Sequence, residues 1–129
     1  GWYNPEEAKA ELEIAIKALA DAGLTVDASN PITIDLPYPS QSTVYTQQKN
    51  ALKQSVESVL EGKVIVNLVD CPSNDEWYAA GYDTATGNEA NYHIYDLSGW
   101  GPDYGDPCTY LDTMLPDYAG YMVKCIGIF

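Results

Sequence analysis

The chain is poor in positive charge, in sulfur and in histidine. Only 6 lysines and arginines stand against 19 aspartates and glutamates in 129 residues, a formal net charge of −13. Nucleic acid demands a basic face and anionic membranes attract basic segments, so this balance argues against both. It is compatible with a cationic partner, although acidity also serves solubility alone. Apolar runs are short, and none approaches the roughly 18–20 residues that span a bilayer. Direct membrane insertion by this chain is therefore not expected, and no basic segment followed by an apolar core marks a signal peptide. With one histidine, and with Cys71, Cys108 and Cys125 forming no CxxC pair, no zinc or other metal site is expected. One disulfide plus one thiol is an open alternative, and buried thiols are the preferred reading.

What is present is a foldable chain. Apolar residues make up 46%, and the length suits a single core. The start at Gly1 without methionine and the apolar last residues, Val123 to Phe129, read as cut ends, which predicts a fragment or excised domain. Asn4-Pro5-Glu6-Glu7 has a capping residue, a first-turn proline and acids at the positive helix end. It predicts a helix from Pro5 to Ala22, with Leu12, Ile16 and Leu19 on one face beside Ala8 and Ala15, stopped by Gly23. Ile32 to Leu36 alternates like a strand, ended by Pro37 and Pro39. Ser40, Ser42 or Thr43 can cap a second helix, Thr43 to Leu60. Its apolar stripe would be Val44, Leu52, Val56, Val59 and Leu60, with Gln47, Gln48, Lys49, Lys53 and Glu57 mostly opposite.

Val64 to Val69 is nearly continuous in apolar residues, as in strands of parallel sheets. Asn74 or Asp75 can cap a third helix that carries Trp77, its length limited by Gly81 and Gly87. Tyr92 to Leu97 reads as a third strand, and Thr109 to Leu115 as a short helix before an aromatic tail. The order predicts an α/β class: a three-layer domain with a small, mainly parallel sheet. In such sheets ligands bind beyond the carboxyl ends of the strands. The segments Pro37–Ser42, Asp70–Asn74 and Ser98–Pro107 all follow such ends and are expected to gather at one edge.

Ser98-Gly99-Trp100-Gly101-Pro102-Asp103-Tyr104-Gly105-Asp106-Pro107 is the most distinctive stretch. Glycine and proline restrict its shape, and two aromatics and two carboxylates suit an extended, partly cationic ligand. The carboxylates do not have the separation that defines a glycosidase pair or the regular acidic spacing of a calcium loop. Gly99 and Gly101 do not make a dinucleotide fingerprint. No catalytic residue is assigned. Asp106, before a proline and a short helix, reads as a turn or helix cap, whereas Asp103 has less local structural reason to be there. His93, without a Ser or Cys partner motif, reads as structural or exposed. Trp77 is balanced between packing on the sheet edge and ligand contact. Several of the 11 tyrosines are expected at the surface, where ring and hydroxyl suit recognition.

The motifs resemble the extracellular solute-binding proteins of the peptide/nickel type, and among them the oligopeptide-binding proteins of ABC importers. Trp2-Tyr3-Asn4-Pro5-Glu6-Glu7-Ala8-Lys9 is similar to that family's "YNPEKAK" helix start, and Val64–Val69 to its second strand. Ser98 to Pro107 resembles its "GW-x-x-DY-x-(D/E)P" signature, and Thr109 to Leu115 the short helix behind it. The resemblance spans nearly the whole chain. It implies one α/β lobe, residues 1–129, forming part of the C-terminal lobe of a two-lobed receptor of the periplasmic-binding-protein type II kind.

By the same resemblance Asp103 holds the α-amino group of an oligopeptide, Trp100 flanks a side-chain pocket, Gly101 contacts peptide backbone and Trp77 lines another pocket. The implied partners are an oligopeptide ligand, the missing lobe and an ABC permease. The implied setting is extracytoplasmic, with no cofactor and no enzymatic activity. One departure is Leu97, where some relatives carry an arginine that would meet an acidic group. A single lobe offers half an enclosure, so weak binding by this chain alone is expected. The competing readings are an independent flavodoxin-like α/β domain with an enzymatic or cofactor site, disfavoured because Pro37 to Thr43 lacks glycine, and a structural or interaction module.

Overall fold

A computed structural model of the chain describes residues 3–83 and 86–96, together with Gly105 and Cys108. The elements run α1 (Pro5–Asp21), β1 (Ile32–Pro39), α2 (Thr43–Val59), β2 (Val64–Cys71), α3 (Asn74–Tyr82) and a 3₁₀ turn, Gly87–Glu89. The expected α/β class with a parallel sheet holds. β1 and β2 pair in parallel, from Ile32 opposite Val64 to Pro39 opposite Cys71. Leu36, Val64, Val66, Cys71 and Trp77 form the buried apolar core.

The helix signals work as the sequence implies. The Asn4 side chain accepts from the Glu7 N–H, and Gly23 leaves α1 with a left-handed φ of +85°. Ser42 caps α2, accepting from the Tyr45 N–H, and Gly62 follows the helix with φ +73°. The cap of α3 is Ser73, not Asn74 or Asp75. Its hydroxyl accepts from the Glu76 N–H at 3.1 Å and donates to the Glu76 carboxylate at 3.2 Å, the side-chain cap expected of serine at this position. On α1 Leu12, Ile16 and Leu19 are half-buried, Ala8 and Ala15 are exposed, and no residue of the helix is fully buried. The helix meets the end of α2 and the following turn through Glu13–Lys63 at 2.7 Å and Lys9–Glu61 at 3.6 Å.

Two expectations are corrected by where backbone groups point. β1 does not stop at Leu36; it runs through Pro37 and ends only at Pro39. In a parallel pair, alternate residues aim N–H and C=O at the partner. Ile32 and Ser40 donate to Lys63 and Cys71 on the β2 side, whereas both backbone groups of Asp35 bond to His93 on the other side. Pro37 and Pro39 share the parity of Asp35, so their missing N–H groups face away from the ladder. The second correction concerns Tyr92 to Leu97. Residues 92–96 form no strand, and Leu97 lies outside the described residues. The segment does lie beside β1 and bonds to it at Asp35. The Asp35 carbonyl accepts from the His93 and Ile94 N–H groups at 3.0 and 3.2 Å, and the Asp35 N–H donates to His93 Nδ1 at 2.9 Å. An imidazole nitrogen stands where a strand would offer a carbonyl, so the ladder does not propagate. The predicted helix at Thr109 to Leu115 and the aromatic tail lie outside the described residues.

The buried face of α2 is also corrected. Val44 and Leu52 are exposed, while Lys49 is buried and Lys53 and Glu57 are half-buried. The cause is the edge of β2 away from β1, where no strand pairs among the described residues. Val66 donates its N–H to Glu57 Oε1 at 3.0 Å, and its carbonyl accepts from Lys53 Nζ at 2.7 Å; the two side chains pair at 2.5 Å. An i, i+4 ion pair thus takes the place of a neighbouring strand and closes an edge open to unwanted pairing. The Lys53 hydrogen bond, against a smaller desolvation effect, holds the Glu57 carboxyl below its ordinary value. A carboxyl lowered on folding stabilises the fold above its unfolded pKa, and that stability is lost as pH falls through the folded value. Glu57→Gln is therefore expected to lose about 1–2 kcal/mol near neutral pH. Its difference from the wild type in urea midpoint should vanish on acidification. A difference independent of pH would contradict the carboxylate's part in closing the edge.

Candidate functional site

The site is built at the carboxyl ends of β1 and β2. Two of the three expected segments meet there. Gln41 Nε2 donates to Asn74 Oδ1 at 2.6 Å, and the Ser40 N–H donates to the Cys71 carbonyl at 3.0 Å. The third segment, Ser98–Pro107, contains Trp100, Gly101 and Asp103, which lie outside the described residues. Cys71, at the end of β2, is buried, and burial foremost pushes its thiol above the ordinary value. Among the described residues no group of three or more His, Cys, Asp and Glu could hold a metal ion, and no helix is long and apolar enough to cross a membrane.

Trp77 sits on the first turns of α3, just past this edge, and is only 3% exposed. Its ring lies 5.5 Å from Tyr95 in a stacked arrangement, 5.2 Å from Tyr78 and 5.7 Å from Tyr45. Tyr82 and Tyr92 extend the cluster through Tyr95, at 6.1 and 5.1 Å. Offset and tilted rings at these distances add to the gain from burial alone. The packing half of the reading of Trp77 is thus realised, and the buried indole Nε1–H finds no acceptor among the described residues. Among the described tyrosines, Tyr3 and Tyr78 are exposed, while Tyr45, Tyr82, Tyr92 and Tyr95 are half-buried in or beside the cluster around Trp77.

The cluster is bound to residues 92–96, which lead directly into the glycine- and proline-rich stretch. Tyr95 Oη donates to the Trp77 carbonyl at 2.5 Å. Burial, and then the neighbouring tyrosines, raises the Tyr95 phenol far above its ordinary value, so it remains a donor. Lys49 Nζ pairs with the Asp96 carboxylate and lies 5.7 Å from the centre of the Tyr45 ring. His93 Nδ1 accepts a backbone hydrogen, which puts the neutral ring's proton on Nε2. Asn67 donates to the Asp35 carboxylate at 2.7 Å beside it. Lys49, Tyr95 and Gly81 were not among the candidate residues. The spacing of Tyr45, Lys49, Lys53, Val56 and Leu60 is helical, which is a signal for the buried face of α2, but two lysines on it read as solvated.

Known proteins support the resemblance. The chain is 36% identical over 121 residues to the oligopeptide-binding protein AliB of Streptococcus pneumoniae, covering 94% of the chain and 18% of AliB. It is 38% identical over 116 residues to SarA of Streptococcus gordonii, also an oligopeptide-binding protein, covering 90% and 17%. To the periplasmic oligopeptide-binding protein OppA of Salmonella typhimurium it is 32% identical over 116 residues, covering 90% and 19%. The chain thus spans less than one fifth of the length of these relatives. In fold it matches Haemophilus influenzae OppA, solved in complex with RPPGFSPFR, at a TM-score of 0.57 and 19% identity over 87% of the chain and 20% of OppA. No family model matches the chain. The likeness read from the motifs is borne out: the chain is a relative of one segment of the oligopeptide-binding proteins. Those relatives are named as oligopeptide-binding proteins.

Proposed function

Starting from a chain that is a relative of one segment of the oligopeptide-binding proteins, we propose that it is part of the C-terminal lobe of an extracytoplasmic oligopeptide receptor. Residues 1–129 form one α/β unit of that lobe. The opposite lobe closes over the ligand by a hinge, and the loaded receptor delivers peptide to an ABC permease. The observation that carries this reading is 36% identity to the oligopeptide-binding protein AliB over 94% of the chain. The meeting of two strand-end segments at one edge supports it, because that edge is where open α/β sheets bind ligands.

In this reading Asp103 accepts charge-assisted hydrogen bonds from the peptide's α-ammonium. Gly101 lets peptide backbone approach, and Trp100 and Trp77 border side-chain pockets. Such capture relies on backbone and terminal charge, leaving side-chain preference loose. The test is calorimetry on the full-length protein with tri- to octapeptides, free or acetylated at the amino terminus. Asp103→Asn is expected to weaken free-amine peptides by about 10- to 100-fold, the worth of one charge-assisted bond, and to leave acetylated ones nearly unchanged. Equal losses for the two sets would remove the anchoring role, and a wild-type protein that binds no peptide would remove the function.

A further inference from the structure

We propose that the outer face of α2 is an interaction surface, and that the part of the receptor beyond this chain packs on it. The proposal rests on the reading of the chain as part of a larger receptor, and not on peptide binding. α2 carries three charged residues, Lys49, Lys53 and Glu57, and all are turned inward, Lys49 buried and the other two half-buried. None of the exposed residues of the helix is charged. Val44, Gln48 and Leu52 follow one another on the exposed side at i+4 spacing, with Gln47, Ala51 and Gln54 beside them. A surface helix ordinarily does the reverse, with charge outward and apolar groups inward. α1 follows that rule in the same chain, where Glu6, Glu7, Glu11, Glu13, Lys17 and Asp21 are all exposed.

The inward charges have partners. Lys53 and Glu57 satisfy the backbone of Val66, and Lys49 pairs with Asp96. Those contacts explain why charge points in, but not why none points out, at positions where lysine or glutamate would be good helix formers. Exposed apolar side chains are ordinary one by one. Val44, 62% exposed, and Leu52, 40% exposed, stand instead on a face without charge in a chain of net charge −13. The centres of protein interfaces are depleted of charge in this way, because a charge covered there loses its hydration without gaining a partner. Ala51 is small enough to let a neighbouring element approach the helix axis. The fitting surface is uncharged, apolar at its centre, with hydrogen-bonding groups for the glutamine amides. The occupant follows from size and charge. The chain spans 18% of AliB and 17% of SarA, so more than four-fifths of such a receptor is polypeptide outside it, tethered to it and hence at high effective concentration. A second copy of the chain would bring its own charge of −13 and be repelled.

Hydroxyl-radical footprinting of the full-length protein, read residue by residue by mass spectrometry, tests the surface. Ile14 on α1, 63% exposed on the charged helix, is the internal reference. Corrected for intrinsic reactivity, Val44 and Leu52 are expected to oxidise at least about fivefold more slowly than Ile14 at every protein concentration, as side chains at an interface centre do. Ala51→Lys puts a charge in the middle of the covered face and is expected to bring both rates to within about twofold of Ile14. Should that variant fold poorly, the wild-type rates decide alone. Wild-type rates equal to that of Ile14 mean that α2 faces water, and overturn the proposal. An Ile14 as slow as Val44 and Leu52 also overturns it, because a charged helix face would then be covered as readily as an uncharged one. Protection that disappears on dilution assigns the face to a second copy and overturns the occupant. Protection that survives in a folded Ala51→Lys protein places its cause away from this face and overturns the surface. A receptor that binds no peptide in calorimetry but shields α2 removes the function proposed above and leaves the surface in place.

Discussion

Trp77→Ala is expected to cost about 3–5 kcal/mol of stability, the range for deleting a buried aromatic ring. The indole is 3% exposed and touches the rings of Tyr45, Tyr78 and Tyr95, so its loss opens a cavity that three packed neighbours cannot all fill. Trp77→Phe is expected to behave differently. It gives up the difference in volume between the two rings, but it also removes a buried N–H that finds no acceptor among the described residues, and such a donor costs about 1–3 kcal/mol. The two terms oppose, leaving a net change within about 1 kcal/mol. Urea unfolding of both variants measures the difference. If Trp77→Ala lost less than about 1 kcal/mol, the aromatic cluster would not be part of the core. The same pair bears on binding. A Trp77→Phe protein that is stable but weak for peptide would assign the indole N–H to the ligand.

The ion pair of Lys49 and Asp96 is expected to respond asymmetrically. The Lys49 side chain is 8% exposed and that of Asp96 is 47% exposed. Removing the carboxylate leaves an ammonium buried without its counter-charge, which is far costlier than removing an exposed partner. Asp96→Ala is therefore expected to lose about 1–3 kcal/mol. Lys49→Met keeps the apolar stem packed against Tyr45 and leaves Asp96 in contact with water, so it should lose less than about 1 kcal/mol. Once Lys49 is methionine, adding Asp96→Ala should change little, a coupling that a double-mutant cycle in urea reads directly. Equal and additive losses would mean that Lys49 is hydrated and the pair is an ordinary surface contact.

Where local chemistry alone decides, the sequence was sufficient. Asn4, Ser42, Gly23 and Gly62 mark helix ends because a side-chain oxygen bonds a nearby N–H or because glycine takes a left-handed turn, and neither needs a distant partner. The run Val64–Val69 marks a buried strand by composition, and the element order carries the α/β class. The signature at Ser98 to Pro107 carries the family likeness without any fold. Tertiary structure alone decided which face of α2 is buried. Lysine and glutamate read as solvated until the edge of β2 supplies the backbone groups of Val66 that they satisfy, and Lys49 until Asp96 arrives from 47 residues away. It also decided that β1 runs through two prolines, since the side to which each missing N–H points depends on where the partner strand lies. It decided that residues 92–96 are tied to β1, α2 and α3 without forming a strand, with the His93 ring in the acceptor position that a ladder would use. Gly81, which local rules mark only as a helix weakener, has its purpose in a ring 14 residues further along the chain.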